Sequence, residues 1–303
     1  MPRRCDIWRV GIVAAPVERI AAAGLTSDLP IRWLDVGRSF TFDADPFGIW
    51  QDDRLHLFVE HYDYRTRRGA IDHLALDGHY RVTRRTRVLE EPWHLSYPHV
   101  FAADGAIWML PEAYRSGTLT LYRARAFPHD WEAVARLPLD GAAIDATPFF
   151  HEGRWWLFYS SAGDRLHRTG SLHVAWAERL TGPWTLLQPG PVRLDRAGAR
   201  PGGRPFLLDG GIVLPVQDCS RTYGGAIRLL HVNRLDPGGI TLRPGRILAP
   251  DPAWRPFDAG LHTLDGCGPV TLIDAKRIDR SGRGWLIDAG RWFRSRSGRE
   301  AAP

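Results

Sequence analysis

Asp145-Ala146-Thr147-Pro148-Phe149-Phe150-His151-Glu152-Gly153-Arg154-Trp155-Trp156-Leu157-Phe158-Tyr159 reads as strand, tight polar turn, strand, and the pattern recurs along the chain. Each copy opens on an x-Pro triplet: Asp45-Pro46-Phe47, Tyr97-Pro98-His99, Thr147-Pro148-Phe149 and Arg204-Pro205-Phe206. The prolines stand 52, 50 and 57 residues apart, which is blade spacing for a propeller. Turn pairs Asp52-Asp53, Asp104-Gly105, Glu152-Gly153 and Asp209-Gly210 then lead into apolar runs, for example Leu55-His56-Leu57-Phe58-Val59 and Ile212-Val213-Leu214. A third, alternating strand follows (Thr118-Leu119-Thr120-Leu121-Tyr122, for example), and a more polar fourth leads outward, as in Trp184-Thr185-Leu186-Leu187. Four strands make one blade. The last repeat, Gly260-Leu261-His262-Thr263-Leu264 followed by 269–275, is short of strands. A strand at 7–14 would complete it and remove the open sheet edges. The expectation is an all-β, five-bladed β-propeller over 1–278, closed by the N-terminal strand, with a basic tail over 279–303. Only 17–24 suggests a helical turn or two.

Composition agrees with a packed β protein. The 303 residues are 44% hydrophobic and 24% charged, with 13 Trp, which excludes wholesale disorder. Three scattered cysteines, Cys5, Cys219 and Cys267, support neither a disulfide framework nor a zinc site and suit a reducing, cytoplasmic location. The net charge of +6 is concentrated at the end, since 276–303 holds eight Lys/Arg and three Asp/Glu. The remaining body is nearly neutral, so no nucleic-acid face is implied; a weak contact of the tail with an anionic surface is the exception. No apolar run approaches the ~20 residues of a membrane span. Met1-Pro2-Arg3-Arg4 imitates a signal peptide, but the apolar stretch after it is short and bounded by Arg9 and Glu18. Neither GxSxG, P-loop, GxGxxG nor HExxH occurs. The glycine pairs Gly202-Gly203, Gly210-Gly211 and Gly224-Gly225 read as turns.

The repeat also aligns positions across blades. Counting six residues from the start of each second strand gives Glu60, Glu112, Ser160 and Gln217. An acid ending a buried strand is costly unless paired or set in a cleft. The x-Pro openings give a second column, Asp45, Tyr97, Thr147 and Arg204, with Asp145 just before Thr147 and Asp218 just after Gln217. Asp45, Glu60, Glu112, Asp145 and Asp218 would then face one channel mouth. Glycosyl chemistry needs such a set, because one carboxyl stays protonated while another is ionised. Trp50, Trp93 and Tyr223 could stack on sugar faces, and His94, Arg204 and His262 could supply donors. No cofactor or metal site is read from the sequence.

Phe42-Asp43-Ala44-Asp45-Pro46-Phe47, Trp93-His94-Leu95-Ser96-Tyr97-Pro98, Met109-Leu110-Pro111-Glu112, Asp145-Ala146-Thr147-Pro148-Phe149-Phe150, Gln217-Asp218-Cys219-Ser220 and Gly260-Leu261-His262-Thr263-Leu264 occur in this order. Together they resemble the N-terminal domain of glucosamine inositolphosphorylceramide transferases, itself similar to arabinanase- and xylosidase-type propeller hydrolases. The resemblance implies Asp45 as general base, Asp145 as the pKa-adjusting acid, and Glu112 or Glu60 as general acid. It also implies a saccharide or glycolipid substrate and a place in bacterial surface-glycan metabolism. The glycosyltransferase domain that follows in plant members is not expected here. Three functions stay open: glycosyl cleavage or transfer, glycan binding without catalysis, and transfer from a nucleotide or lipid-phosphate donor.

Overall fold

Nearly continuous apolar inner strands followed by more polar outer ones recur along the chain, and each repeat closes into an antiparallel sheet. A computed structural model of the chain describes residues 5–35, 40–282 and 284–289. The chain begins with β1 (Cys5–Val13), α1 (Val17–Ala23) and β2 (Ile31–Trp33). Blade one is β3 (Thr41–Gln51), β4 (Arg54–Asp63), β5 (Arg68–Leu76) and β6 (Val82–Leu89). Blade two is β7 (Ser96–Ala103), β8 (Ala106–Glu112), β9 (Leu119–Ala126) and β10 (Asp130–Leu137). Blade three holds β11 (Ala143–His151), β12 (Arg154–Ser161), the short helix α2 (Arg165–Gly170), β13 (Ser171–Ala177), β14 (Thr185–Leu186) and β15 (Arg193–Leu194). Blade four is β16 (Phe206–Leu208), β17 (Gly211–Asp218), β18 (Ala226–Asp236) and β19 (Gly239–Leu248). Then come β20 (Leu264–Cys267) and β21 (Val270–Asp279).

Blade five has the order β20-β21-β1-β2. The N-terminal segment therefore closes the ring with two strands where the sequence suggested one. Pairing runs without a break from Cys5↔Asp279 to Val13↔Thr271. Met1-Pro2-Arg3-Arg4 and residues 290–303, most of the expected tail, lie outside the described residues. Among the described residues no helix is long and apolar enough to cross a membrane.

Five apolar seams hold the blades together. Phe58 and Ile71 meet Val100 and Met109 between blades one and two. Leu110 and Leu121 meet Trp155 and Leu157, and Trp156 and Phe158 meet Leu214 and Val216. Val213 and Ile227 meet Val13 and Ile273, and Val10 and Leu272 close the circle on Leu57 and Val59. Each fully buried side chain of this kind contributes about 1.5–3 kcal/mol.

Arg204, expected at the site as a substrate donor, does other work. Pro201 bridges Val216 and Phe206 pairs with Val213, so four residues, Gly202 to Pro205, face only two on β17. This insertion carries Arg204 past the channel mouth. Its guanidinium donates to the carbonyls of Gly48 (3.2 Å) and Val100 (2.8 Å) and pairs with buried Asp265 at 3.0 Å. Those partners lie three residues beyond Asp45, Tyr97 and His262, so Arg204 ties three inner strands together about 10 Å below the mouth. The pair Gly202-Gly203 is likewise a close approach and not a turn. A Cβ on Gly203, whose φ is +145°, would stand 1.9 Å from the Leu264 carbonyl oxygen. Arg204→Ala should lower the unfolding free energy by roughly 3–5 kcal/mol in denaturant titration, because Asp265 loses its buried partner. Unchanged stability would instead fit a role in ligand binding.

Candidate active site at the propeller axis

Inner strands β3, β7 and β11 each carry a bulge at the same level. Ala44 pairs with Glu60 and Phe47 with Phe58, leaving Asp45-Pro46 unpaired. The second blade repeats this around Tyr97-Pro98, between Ser96↔Glu112 and His99↔Leu110, and the third around Asp145-Ala146, between Ile144↔Ser160 and Thr147↔Phe158. The first bulge residues, Asp45, Tyr97 and Asp145, have φ of 48°, 46° and 50°. Such left-handed backbone is costly outside glycine and clusters at functional sites. Asp145 is thus the counterpart of Asp45, and Thr147, expected in that column, is not. Thr147 instead donates to the Asp145 carbonyl (3.0 Å) and lies 2.9 Å from the Tyr97 hydroxyl.

The six-residue count holds in all five blades. Starting from Val270 it ends on Lys276, so the buried ring at this level is Glu60, Glu112, Ser160, Gln217 and Lys276. Lys276, the chain's single lysine, belongs to this ring and not to a basic tail. Its ammonium donates to the Tyr223 carbonyl and to Thr222 Oγ1 (3.2 Å), lies 3.4 Å from Asp6, and stands 5.1 Å from the Trp8 ring centroid.

Two charged networks meet here. In the first, Asp45 accepts from the Tyr97 amide and the Thr263 hydroxyl, each at 3.1 Å, and lies 3.4 Å from His262 Nε2. His262 Nδ1 is 2.7 Å from Asp274, which also accepts the amides of His262, Thr263 and Asp45. Burial alone would make His262 neutral, but Asp274 and Asp45 outweigh it and raise its pKa. Burial, opposed by His262 and reinforced by Asp145 and Asp274, lifts the Asp45 carboxyl to about 6. In the second network, Arg200 Nε meets Asp145 at 2.6 Å, and Gln217 Nε2 donates to the same carboxylate at 2.7 Å. Glu112 lies 3.8 Å from Arg200. Burial and then Asp145 push Glu112 well above the usual carboxyl range, against the pull of Arg200. Glu60 is raised as well, by burial and then by Asp45 and Glu112. Its nearest imidazole is His94, 3.7 Å away, which burial and Arg115 hold down to about 4. His94 Nδ1 accepts the Gly69 amide at 2.8 Å, so the neutral ring carries its proton on Nε2.

The cavity above these networks measures about 480 Å³. Of the expected residues it gathers Asp45, Glu60, Glu112, His94, Tyr223 and His262 on its wall. Asp145, Gln217 and Tyr97 lie just beneath, the last with its hydroxyl taking the Gly203 amide at 2.7 Å. Trp50, Trp93, Asp218 and Arg204 are not brought to it. Trp50 donates to the Cys267 carbonyl between blades one and five, and Trp93 borders a separate depression with Tyr122. Asp218 accepts from Ser220 and braces the loop that carries Tyr223. Residues the sequence reading passed over are Trp8, stacked on His262 at 3.7 Å, together with Asp274, Arg200, Arg165, Arg168 and Lys276. Asp45, His262 and Asp274 also place ligand atoms within 4.8 Å of one another, a set that suits a divalent cation in principle. Their oxygens are already engaged by the amides and hydroxyl above.

The family described as glucosamine inositolphosphorylceramide transferase 1, N-terminal, matches residues 19–239. Glucosamine inositolphosphorylceramide transferase 1 of Oryza sativa subsp. indica is 36% identical over 203 residues, which is 66% of this chain and 27% of the relative. The Arabidopsis thaliana protein of that name is 35% identical over 237 residues, 76% of this chain and 30% of the relative. The match thus takes in under a third of these relatives' length. Among solved structures, the Cellvibrio cellulosa α-L-arabinanase complexed with arabinohexaose aligns with TM-score 0.52 and 17% identity, over 70% of this chain and 85% of that one. Zg3597, a family 117 glycoside hydrolase of Zobellia galactanivorans, aligns with TM-score 0.57 and 13% identity, over 91% of both chains. At such identities these likenesses establish the fold.

The carboxyls' different charge states can be separated by stability. Glu60→Gln is isosteric with the protonated carboxyl that burial favours at Glu60 and should change the unfolding free energy by less than about 1 kcal/mol at pH 7. Asp145→Asn leaves Arg200 buried without its partner and should cost roughly 3–5 kcal/mol. Equal losses in denaturant titration would contradict this charge assignment.

Proposed function

The chain belongs to the family of the glucosamine inositolphosphorylceramide transferase 1 N-terminal domain, and from that membership and the axial cavity we propose that it cleaves or transfers a glycosyl unit at the propeller mouth. Its function is carbohydrate-related. The observation that carries it is the sorting of carboxyls on one wall: Asp45 near 6, Glu60 and Glu112 well above the usual range. At neutral pH the first is mostly a base and the others are acids.

In this reading Asp45 takes the proton of the attacking hydroxyl, from water or from an acceptor sugar. Glu112 gives its proton to the departing oxygen. Glu112 suits that role better than Glu60, because an acid must also tolerate the anion it leaves behind. Arg200 stands 3.8 Å from Glu112, whereas among the described residues Glu60 pairs only with the neutral His94. The Asp274–His262 pair fixes Asp45, and Trp8 backs His262.

Arg165 and Arg168 line the same cavity from α2, and among the described residues neither pairs with a carboxylate. Two unpaired guanidiniums suit a phosphoryl oxygen. They support a substrate that carries phosphate beside the sugar, in keeping with the inositolphosphoryl group in the relatives' name. The proposal includes bacterial glycan or glycolipid metabolism, and a cytoplasmic location suited to three cysteines scattered along the chain.

Asp45→Asn and Glu112→Gln should each reduce turnover of a glycosyl substrate by about 10²–10⁴-fold while the protein stays folded. Glu60→Gln should leave most activity. The profile of kcat/KM against pH should rise through about 6 as Asp45 ionises and fall at higher pH as Glu112 loses its proton. Full activity in both the Asp45 and Glu112 variants would exclude the assignment.

A further inference from the structure

Beside the axial cavity, between blades five and one, lies a second concavity of about 350 Å³ lined by Asp6, Trp8, Phe42, Tyr62, Tyr64 and Tyr223. Trp8, Phe42, Tyr62 and Tyr223 line both cavities, so the two adjoin. The aromatic floor is built in advance. Phe42 and Tyr62 stack with centroids 5.0 Å apart at 24°, and Tyr64 meets Tyr62 edge-on at 5.0 Å and 84°. Trp8 is held by the His262 ring stacked on it at 3.7 Å and by the Lys276 ammonium 5.1 Å from its centroid. Tyr64 donates to the Asp6 carbonyl at 2.7 Å, and Lys276 holds the Asp6 carboxylate at 3.4 Å.

The chemistry of this floor selects its occupant. Ring faces attract the C–H face of a pyranose, and hydroxyls at its edge need acceptors. The Asp6 carboxylate and the oxygens of Tyr62, Tyr64 and Tyr223 stand where such hydroxyls would fall. An acyl chain would gain nothing from them. The charge is laid out with the same polarity: Arg165 and Arg168 flank the axial cavity from α2 on blade three, and the aromatic groove leaves it over blades five and one. We propose that this groove is a second saccharide subsite, holding a pyranose joined to the unit on the axis while the anionic end of the substrate lies over α2. This subsite rests on the axial reading given above.

Isothermal titration with glucosamine 1-phosphate and with its disaccharide homologue, glucosaminyl-β-1,4-glucosamine 1-phosphate, tests it. The wild-type protein should bind the disaccharide about tenfold more tightly than the monosaccharide. Tyr64→Ala should erase that gain and leave monosaccharide affinity within about twofold, and Tyr64→Phe should keep it. Tyr64→Leu, which fills the space without an aromatic face, gives the same reading if the alanine variant does not fold. Equal wild-type affinity for the two compounds, or a gain that survives Tyr64→Ala and Tyr64→Leu, overturns the subsite and leaves the axial site standing. Binding of neither compound takes down the axial reading and the subsite together.

Discussion

Desolvation at the hub is the constraint around which the molecule is organised. Where five sheets meet, carboxyls, an imidazole, a guanidinium and an ammonium are withdrawn from water within one small volume, and bare charge there is expensive. The protein meets this in two ways. Some groups are neutralised by proximity, as with Asp145 against Arg200 and Asp274 against His262. Others are biased towards their protonated forms, as Glu60 and Glu112 are because burial and neighbouring acids raise their pKa values well above the usual carboxyl range. Asp45 falls between, raised by burial yet steadied by His262. Division of labour among the acids is therefore a consequence of how much charge the hub can accommodate.

The remaining structure serves that arrangement. Five apolar seams make the ring rigid enough to hold side chains from distant parts of the sequence in register. Bulges on three inner strands turn Asp45, Tyr97 and Asp145 towards the axis. Below them Arg204 binds three strands through carbonyls and Asp265. Closure by two N-terminal strands places Trp8 and Asp6 opposite Lys276. The same strand that completes the ring thus also completes the wall of the site.

The period of the repeat, its turns and its apolar strands were legible in the sequence because blade formation is local and every blade repeats the same pattern. The site was legible in part. Counting from the turns found Glu60, Glu112, Ser160 and Gln217, and one more application would have reached Lys276, which was grouped with the basic residues after it. Anchoring on proline was less sound: the bulge, and not the proline, sets which residue faces the axis, so Asp145 takes the place expected of Thr147. Nothing local marked Arg200 among so many arginines, or Asp274 within an apolar strand, because both owe their importance to partners far away in sequence. Trp50 and Trp93 show the converse. Their rings suggested stacking on sugars, whereas the fold uses Trp50 between blades and turns Trp93 to another face.

The central claim is that the hub keeps acid and base forms of carboxyls side by side at neutral pH. Carbon-13 NMR of the carboxyl carbons in protein labelled at Asp and Glu, assigned with single amide variants, observes this directly across a pH titration. The account predicts that Asp45 titrates near 6 and that Glu60 and Glu112 remain protonated at pH 7. Titration of all three in the ordinary carboxyl range, around 4, would contradict it.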